Sequence, residues 1–246
     1  MSATAASRSP SFNFSKKSSI VSTAPMSGVY RRPPMGAELE SIWPLFGLRL
    51  RTERLVLRLP TDEDLVRLIA LARSGIHEPG TMPFGVAWTS LPSPEFERGA
   101  MQYHWRCRAN WSAQDWELNL LVEHDGQPIG SQGVSAREYR MARTVHSGSW
   151  LGRSHQGLGL GKEMRTAVLA LAFDGLGARV ATSEAFLDNH ASNGVSRSLG
   201  YEDNGIGSLA PEGVPRDTQR FRMTLDGWRS RPRPTVAIEG LAECLD

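Results

Sequence analysis

"SHQGLGLGKEMRTAVLALAF" (Ser154–Phe173) places glycines at alternate positions, Gly157, Gly159 and Gly161, directly ahead of a long apolar run free of proline. Alternating glycines leave backbone N–H groups without side-chain cover. A helix that starts among them adds unpaired donors and the positive end of its dipole. The stretch therefore reads as an anion cradle running into a helix. Met164, Val168 and Leu171, with Leu169 and Phe173 beside them, make that helix apolar around most of its girth, which predicts burial.

The flanking segments set the fold. "TVHSGSWLG" reads as a strand that feeds the glycine loop, and "RVATSEAFL" as the strand after the helix. "NHASNGVSRSLG" is a short helix closed by Gly200, followed by a strand pair from "YEDNGIG" and "TQRFRMTL". Upstream, "WELNLLVEHDGQPIGSQGVS" is a hairpin around Asp125-Gly126, a strong turn signal. Folded structure is expected to begin in "IWPLFGLRLRTERLVLRLP" (Ile42–Pro60), where Leu55, Leu57 and Leu59 alternate as on a strand. In "TDEDLVRLIALARSG", Thr61 is a natural N-cap, acids fill the first turn, and Leu65, Leu68, Ile69 and Ala72 form a stripe. A second helix is expected over Glu95–Trp111 after an irregular loop. The resulting order, β-α-α-β-β-β-α-β-α-β-β, predicts an α/β domain with one mixed sheet flanked by helices.

Composition narrows the function. With 246 residues, 40% of them hydrophobic, the chain suits one soluble domain with extensions. A net charge of +2 without a basic stripe argues against nucleic acid, and no apolar run reaches spanning length, so no membrane insertion is expected. Cys107 and Cys244 are the only cysteines, which predicts neither a disulfide framework nor a metal site. The first 35 residues are serine-rich and basic and contain no acid. That composition predicts a disordered extension over 1–40, ahead of a domain over 41–228 and a tail over 229–246 with one edge strand. A cytoplasmic location is expected.

Three kinds of phosphate loop compete for the glycines. A P-loop fails because Gln156 stands where its first glycine belongs and Glu163 replaces the magnesium-binding hydroxyl. A dinucleotide fingerprint fails because no glycine follows at the required third position. The pattern Q/R-x-x-G-x-G/A is met by Gln156-Gly157-Leu158-Gly159-Leu160-Gly161. This resembles the pyrophosphate loop of the GNAT N-acyltransferases. "TERLVLRLPTDEDL", "SGSWLGRSHQGLGLGKEM" and "DNHASNGVSRSLGY" are similar, in the right order, to segments of the RimJ/RimL-like branch, and the resemblance spans about Trp43 to Trp228. "WPLFGLRL", "TMPFGVAWT" and "ATSEAFLDNHAS" resemble a subgroup with succinyl-carrying members.

The resemblance implies a mostly antiparallel sheet with splayed central strands and coenzyme A, as acetyl-CoA or succinyl-CoA, as donor to a primary amine. It implies that Gln156–Lys162 wrap the pyrophosphate, with Arg153 and Arg165 as further phosphate candidates. Trp150, Leu151 and Gly152 would pair with the pantetheine arm, and Asn189 and Ser192 would meet the cofactor near its reacting end. Ser196 stands where many relatives carry a proton-donating tyrosine, with Tyr201 as a fallback. Glu184 is the first candidate base, then His146 and Glu117. His77, Met82, Phe84 and Trp88 would shape the acyl or acceptor pocket, with His77 facing the carboxylate of a succinyl group. A homodimer is compatible with the branch. A competing reading, prompted by Ser196, is an acyl-CoA sensor with little catalysis.

Overall fold

A computed structural model describes residues 35–245. The extension expected over 1–40 therefore lies, for residues 1–34, outside the described residues, while Met35–Ile42 form helix α1. Next come β1 (Arg49–Arg51), β2 (Leu55–Arg58), α2 (Asp62–Arg73) and α3 (Glu95–Ala109). The hairpin β3 (Trp116–His124) and β4 (Gln127–Ala136), the short α4 (Tyr139–Ala142) and β5 (Thr144–Leu151) lead to α5 (Leu160–Ala170). The chain ends with β6 (Val180–Phe186), α6 (His190–Leu199), β7 (Glu202–Leu209), β8 (Arg216–Thr224), α7 (Leu225–Arg229) and β9 (Ala237–Glu239).

The nine strands of the described residues form one open sheet in the order β7-β8-β6-β5-β4-β3-β2-β1-β9. The segment read as one opening strand is two, β1 and β2, paired antiparallel across the turn at 52–54. Thr52 makes that turn: its N–H bonds the Leu55 carbonyl, and its hydroxyl accepts from the Leu55 N–H. β9 lies along the outer edge of β1. At the β3–β4 turn Asp125 and Gly126 both have positive φ, 51° and 71°, as a tight hairpin of right-handed strands requires.

Helices cover both faces. α5 packs on β1, β2, β4 and β5, burying Met164, Val168 and Leu169 against Leu50, Leu57, Leu118 and Leu120. Its apolar run closes in a π turn over Leu171–Gly175. α2 and α3 cover the opposite face, where Leu65 and Leu68 meet Leu121.

α2 is tied down by charge as well as burial. Thr61 and Asp64 form a capping box, and the buried Asp64 carboxylate also accepts from Arg58 and Arg67. Arg58 in turn holds Glu123 at 2.7 Å. Burial pushes the Asp64 pKa up, but the hydrogen bonds from Arg58, Thr61 and Arg67 outweigh it and hold the carboxyl well below its usual range. Asp64→Ala is expected to lower unfolding stability by about 3 kcal/mol in urea melts, because it leaves Arg58 half-paired and removes the half of the capping box that accepts from the Thr61 N–H. A loss below about 1 kcal/mol would show that the network contributes little.

One irregularity of the sheet matters most. β5 and β6 are its only parallel neighbours, and they pair only over Thr144–His146 and Val180–Thr182. Beyond that point β5 continues on β4 to Leu151, and β6 on β8 to Phe186. The strands part as a V whose inner edges have no strand partner among the described residues.

Candidate active site

The glycine loop lies beyond the open end of β5. Gly157 and Gly159 have φ of 75° and 79°, a left-handed geometry that glycine adopts without strain. The N–H groups of Gly157, Leu158, Gly159, Leu160 and Gly161 have no acceptor among the described residues. Five such donors in succession at a helix start suit an anion of more than one phosphate. The loop is held firmly on both flanks. Gln156 Nε2 donates to the carbonyls of Ile76 and Leu151, both at 2.9 Å. Glu163 accepts from the Thr52 hydroxyl at 2.6 Å and from the Arg54 N–H at 3.0 Å.

Arg54 is a residue the sequence did not single out. Its Nη1 donates to the Leu158 carbonyl at 3.2 Å, and a Cβ added at Gly159 would lie 3.6 Å from its Nη2. Paired with Glu163 at 2.6 Å, its guanidinium thus sits on the cradle's rim from more than a hundred residues away in sequence. Lys162 is exposed on the first turn of α5, and Arg153 pairs with Glu78. Arg165 turns away from the loop and is buried between β5 and β6.

The V continues the cradle inward. Gly152 N–H bonds the Ile129 carbonyl on the β4 side, so by strand alternation the backbone of Leu151 and Ser149 faces the open edge. The Leu151 carbonyl is taken by Gln156. The Trp150 side chain lies against Trp88, with ring centroids 6.1 Å apart. Asn189 caps α6, accepting from the Ser192 N–H at 3.1 Å. Ser196 is fully buried, and its hydroxyl has no partner among the described residues. Tyr201 is buried too, its hydroxyl 3.4 Å from Ser147 Oγ.

On the α2/α3 face the V opens into a cavity of about 670 Å³. Phe84, Trp88, Phe96 and Trp150 give it an aromatic wall; Glu117, Asn119, Tyr103 and His146 form its polar end. Tyr103 donates to Glu117, and Asn119 Nδ2 donates to Tyr103 Oη at 3.0 Å. Burial, then the Glu117 charge, hold the Tyr103 phenol well above its ordinary range, so it stays a donor. Burial likewise lifts the neighbouring Cys107 thiol to about 11, which keeps it neutral.

His146 has a defined tautomer. The Thr182 hydroxyl spends its proton on the Val145 carbonyl at 3.1 Å. It must therefore accept from His146 Nδ1, also at 3.1 Å, which leaves Nε2 with a free lone pair. Burial, then the charge of Arg165, lower the imidazole pKa, opposed by Glu184 and Glu117. A neutral imidazole with one free nitrogen lining the cavity is equipped to take a proton.

The remaining candidates sit elsewhere. Glu184 is outside the cavity lining; it accepts from Thr218 and from Arg220 Nε at 3.3 Å. His77 uses its ring nitrogens on the Glu78 carbonyl and Thr89 Oγ1, at 3.0 and 2.9 Å. Met82 is buried beside Thr89. Both residues close the 76–90 loop from behind, while Phe84 and Trp88 present their rings to the cavity.

Among the described residues no helix is long and apolar enough to cross a membrane, and no group of histidine, cysteine, aspartate or glutamate side chains is arranged to hold a metal. The fold recurs in solved structures. Mycobacterium smegmatis RimJ in complex with CoA-disulfide superposes with a TM-score of 0.63 at 17% identity, over 82% of this chain and 94% of its own. A SpeG spermidine N-acetyltransferase chimera of Vibrio cholerae and hSSAT gives 0.57 at 17% identity, over 73% and 100%. The microcin self-immunity acetyltransferase MccE, in complex with acetyl-CoA and AMP, gives 0.53 at 16% identity, over 70% and 93%. At these identities the likeness establishes a common fold. The sequence itself matches the model of the acetyltransferase (GNAT) domain over residues 54–202, from the start of β2 through the cradle to the first residue of β7. With more than half of its length matched and the splayed sheet in place, the chain belongs to the GNAT acetyltransferase family.

Proposed function

We propose that the protein transfers an acyl group from coenzyme A to a primary amine by direct attack on the thioester. The observation that carries this reading is the cradle: five N–H groups of residues 157–161 without acceptors, set at the mouth of an unpaired strand edge. Gly157–Gly161 and Arg54 would hold the pyrophosphate, and the Ser149–Leu151 edge would align the pantetheine arm as an added strand. The amine would enter through the cavity. Glu117 offers it a carboxylate, and His146 Nε2 would accept its proton so that the neutral nitrogen can attack.

The acceptor best suited to the cavity is an amine on an apolar or aromatic body, since Phe84, Trp88, Phe96 and Trp150 line it together with the Glu117 carboxylate. The acyl group best suited is acetyl, because Glu117 would repel the free carboxylate of succinate and His77 is engaged outside the lining.

The test is calorimetric titration with coenzyme A, acetyl-CoA and succinyl-CoA, followed by thiol release from acetyl-CoA on adding 2-phenylethylamine, spermidine or a peptide with a free N-terminus. Binding with amine-dependent thiol release supports the transferase. Binding without turnover for any amine would favour a sensor, and no binding would sink the reading.

A further inference from the structure

Arg165 has no counter-ion. It reaches from α5 into the V, is 2% exposed, and pairs with no carboxylate among the described residues. Nη1 donates to Ser183 Oγ on β6 at 2.9 Å and Nη2 to Ser149 Oγ on β5 at 3.2 Å; Nε is buried with no partner. An isolated buried cation costs several kcal/mol, and a neutral amide could tie two hydroxyls at far lower cost. The charge itself therefore calls for a reason.

The hydroxyls supply one. A guanidinium only donates, so Ser149 Oγ and Ser183 Oγ both accept, and each keeps its own proton for another acceptor. Neither proton has an acceptor among the described residues. Ser183 is buried, whereas Ser149 is partly exposed: the residue borders the cavity beside Gly148 and Trp150, and its hydroxyl lies on the α5 side of the V, where β5 and β6 part. A hydroxyl whose oxygen accepts from a buried cation is a stronger donor than serine alone.

We propose that Ser149 is a catalytic hydrogen-bond donor to the thioester oxygen and that Arg165 is the positioning residue that orients and polarises it. This rests on the acyltransferase reading above. As the amine nitrogen bonds to the carbonyl carbon, the C=O electron pair moves onto oxygen and Ser149 O–H donates to it. The ammonium proton has already passed through His146 to water, and the second nitrogen proton leaves by the same route as the adduct forms. The pair then returns, the C–S bond breaks with its electrons on sulfur, and the thiolate takes a proton from water. Ser149 keeps its proton throughout; its contribution is electrostatic and greatest when the oxygen is charged.

The experiment is a double-mutant cycle with Ser149→Ala, Arg165→Met and the pair. Readouts are single-turnover acylation of 2-phenylethylamine, acetyl-CoA hydrolysis, coenzyme A affinity, melting of the free protein, and the His146 titration by NMR. Ser149→Ala is expected to slow both reactions by roughly 100-fold, with coenzyme A affinity changed less than about threefold. Arg165→Met should slow the wild-type reaction by at least about tenfold yet add little to Ser149→Ala, because both remove one interaction. It should leave the free protein at least as stable and raise the His146 pKa.

If Ser149→Ala reacts within about threefold of wild type, or if the two losses multiply, the proposal falls while the transferase reading stands. If wild-type protein fails to bind coenzyme A, both fall. Should Arg165→Met not fold, Arg165→Gln takes its place in the cycle, and Ser149→Ala by itself still decides the donor role.

Discussion

Gly159→Asp is expected to weaken coenzyme A binding by at least about 100-fold, or roughly 2.7 kcal/mol. The carboxylate enters the middle of the N–H cradle, where like charge at close range opposes a phosphate by about 1 to 4 kcal/mol according to local screening. It would also compete with Glu163, 2.6 Å from Arg54 Nη2, for that guanidinium, which lies 3.6 Å from the added Cβ. Positive φ at this position strains any side chain, so Gly159→Asn is the control: it shares the strain and the shape and lacks the charge. The asparagine protein should melt close to the aspartate protein and bind coenzyme A more tightly than it does. Calorimetry on both, beside wild type, measures this. Binding by the aspartate protein within about threefold of wild type would mean that the glycines form only a turn.

His146→Gln is expected to cost about 10²- to 10³-fold in kcat, with coenzyme A affinity unchanged, since a positioned base contributes on that scale. Glutamine retains a hydrogen-bonding tip but cannot take a proton at neutral pH. The pH profile gives a sharper test. Neutral imidazole is the working form, so activity falls as pH drops through the His146 pKa, and burial together with Arg165 puts that pKa below 6.5. Wild-type kcat should therefore be level near neutrality and fall with unit slope only in the acid range. The charges of Glu184 and Glu117 pull the other way, so removing the Arg165 charge should move the acid limb towards neutrality. The glutamine protein should lose that limb. A limb that survives unchanged would assign the base elsewhere, with Glu117 next in the cavity.

Residues that act through neighbours in sequence were readable in advance. The Asp125-Gly126 hairpin, the Thr61 cap, the buried girdle of α5 and the glycine cradle all depend on local spacing and backbone preference. The division at 52–54 was not readable. Thr52, Glu53 and Arg54 include no glycine or proline, and the turn is stabilised by the Thr52 hydroxyl and by Glu163 on a distant helix. Side-chain direction was equally hidden. Glu184 and His146 both sit on strands with polar neighbours, yet one carboxylate meets Thr218 and Arg220 while the imidazole lines the cavity.

By itself the sequence determined the order of the main elements from β2 to β8, the glycine loop ahead of a buried helix and the family resemblance, because helix periodicity, turn chemistry and glycine's freedom act over a few residues. The tertiary structure alone decided which charges meet. Arg54 reaches the cradle from the β1–β2 turn, Arg165 turns from the phosphate loop into the V, and Tyr103, Asn119 and Glu117 converge from α3 and β3. Those encounters depend on how strands register and helices pack across the whole sheet, and the arrangement of charge around His146 follows from them.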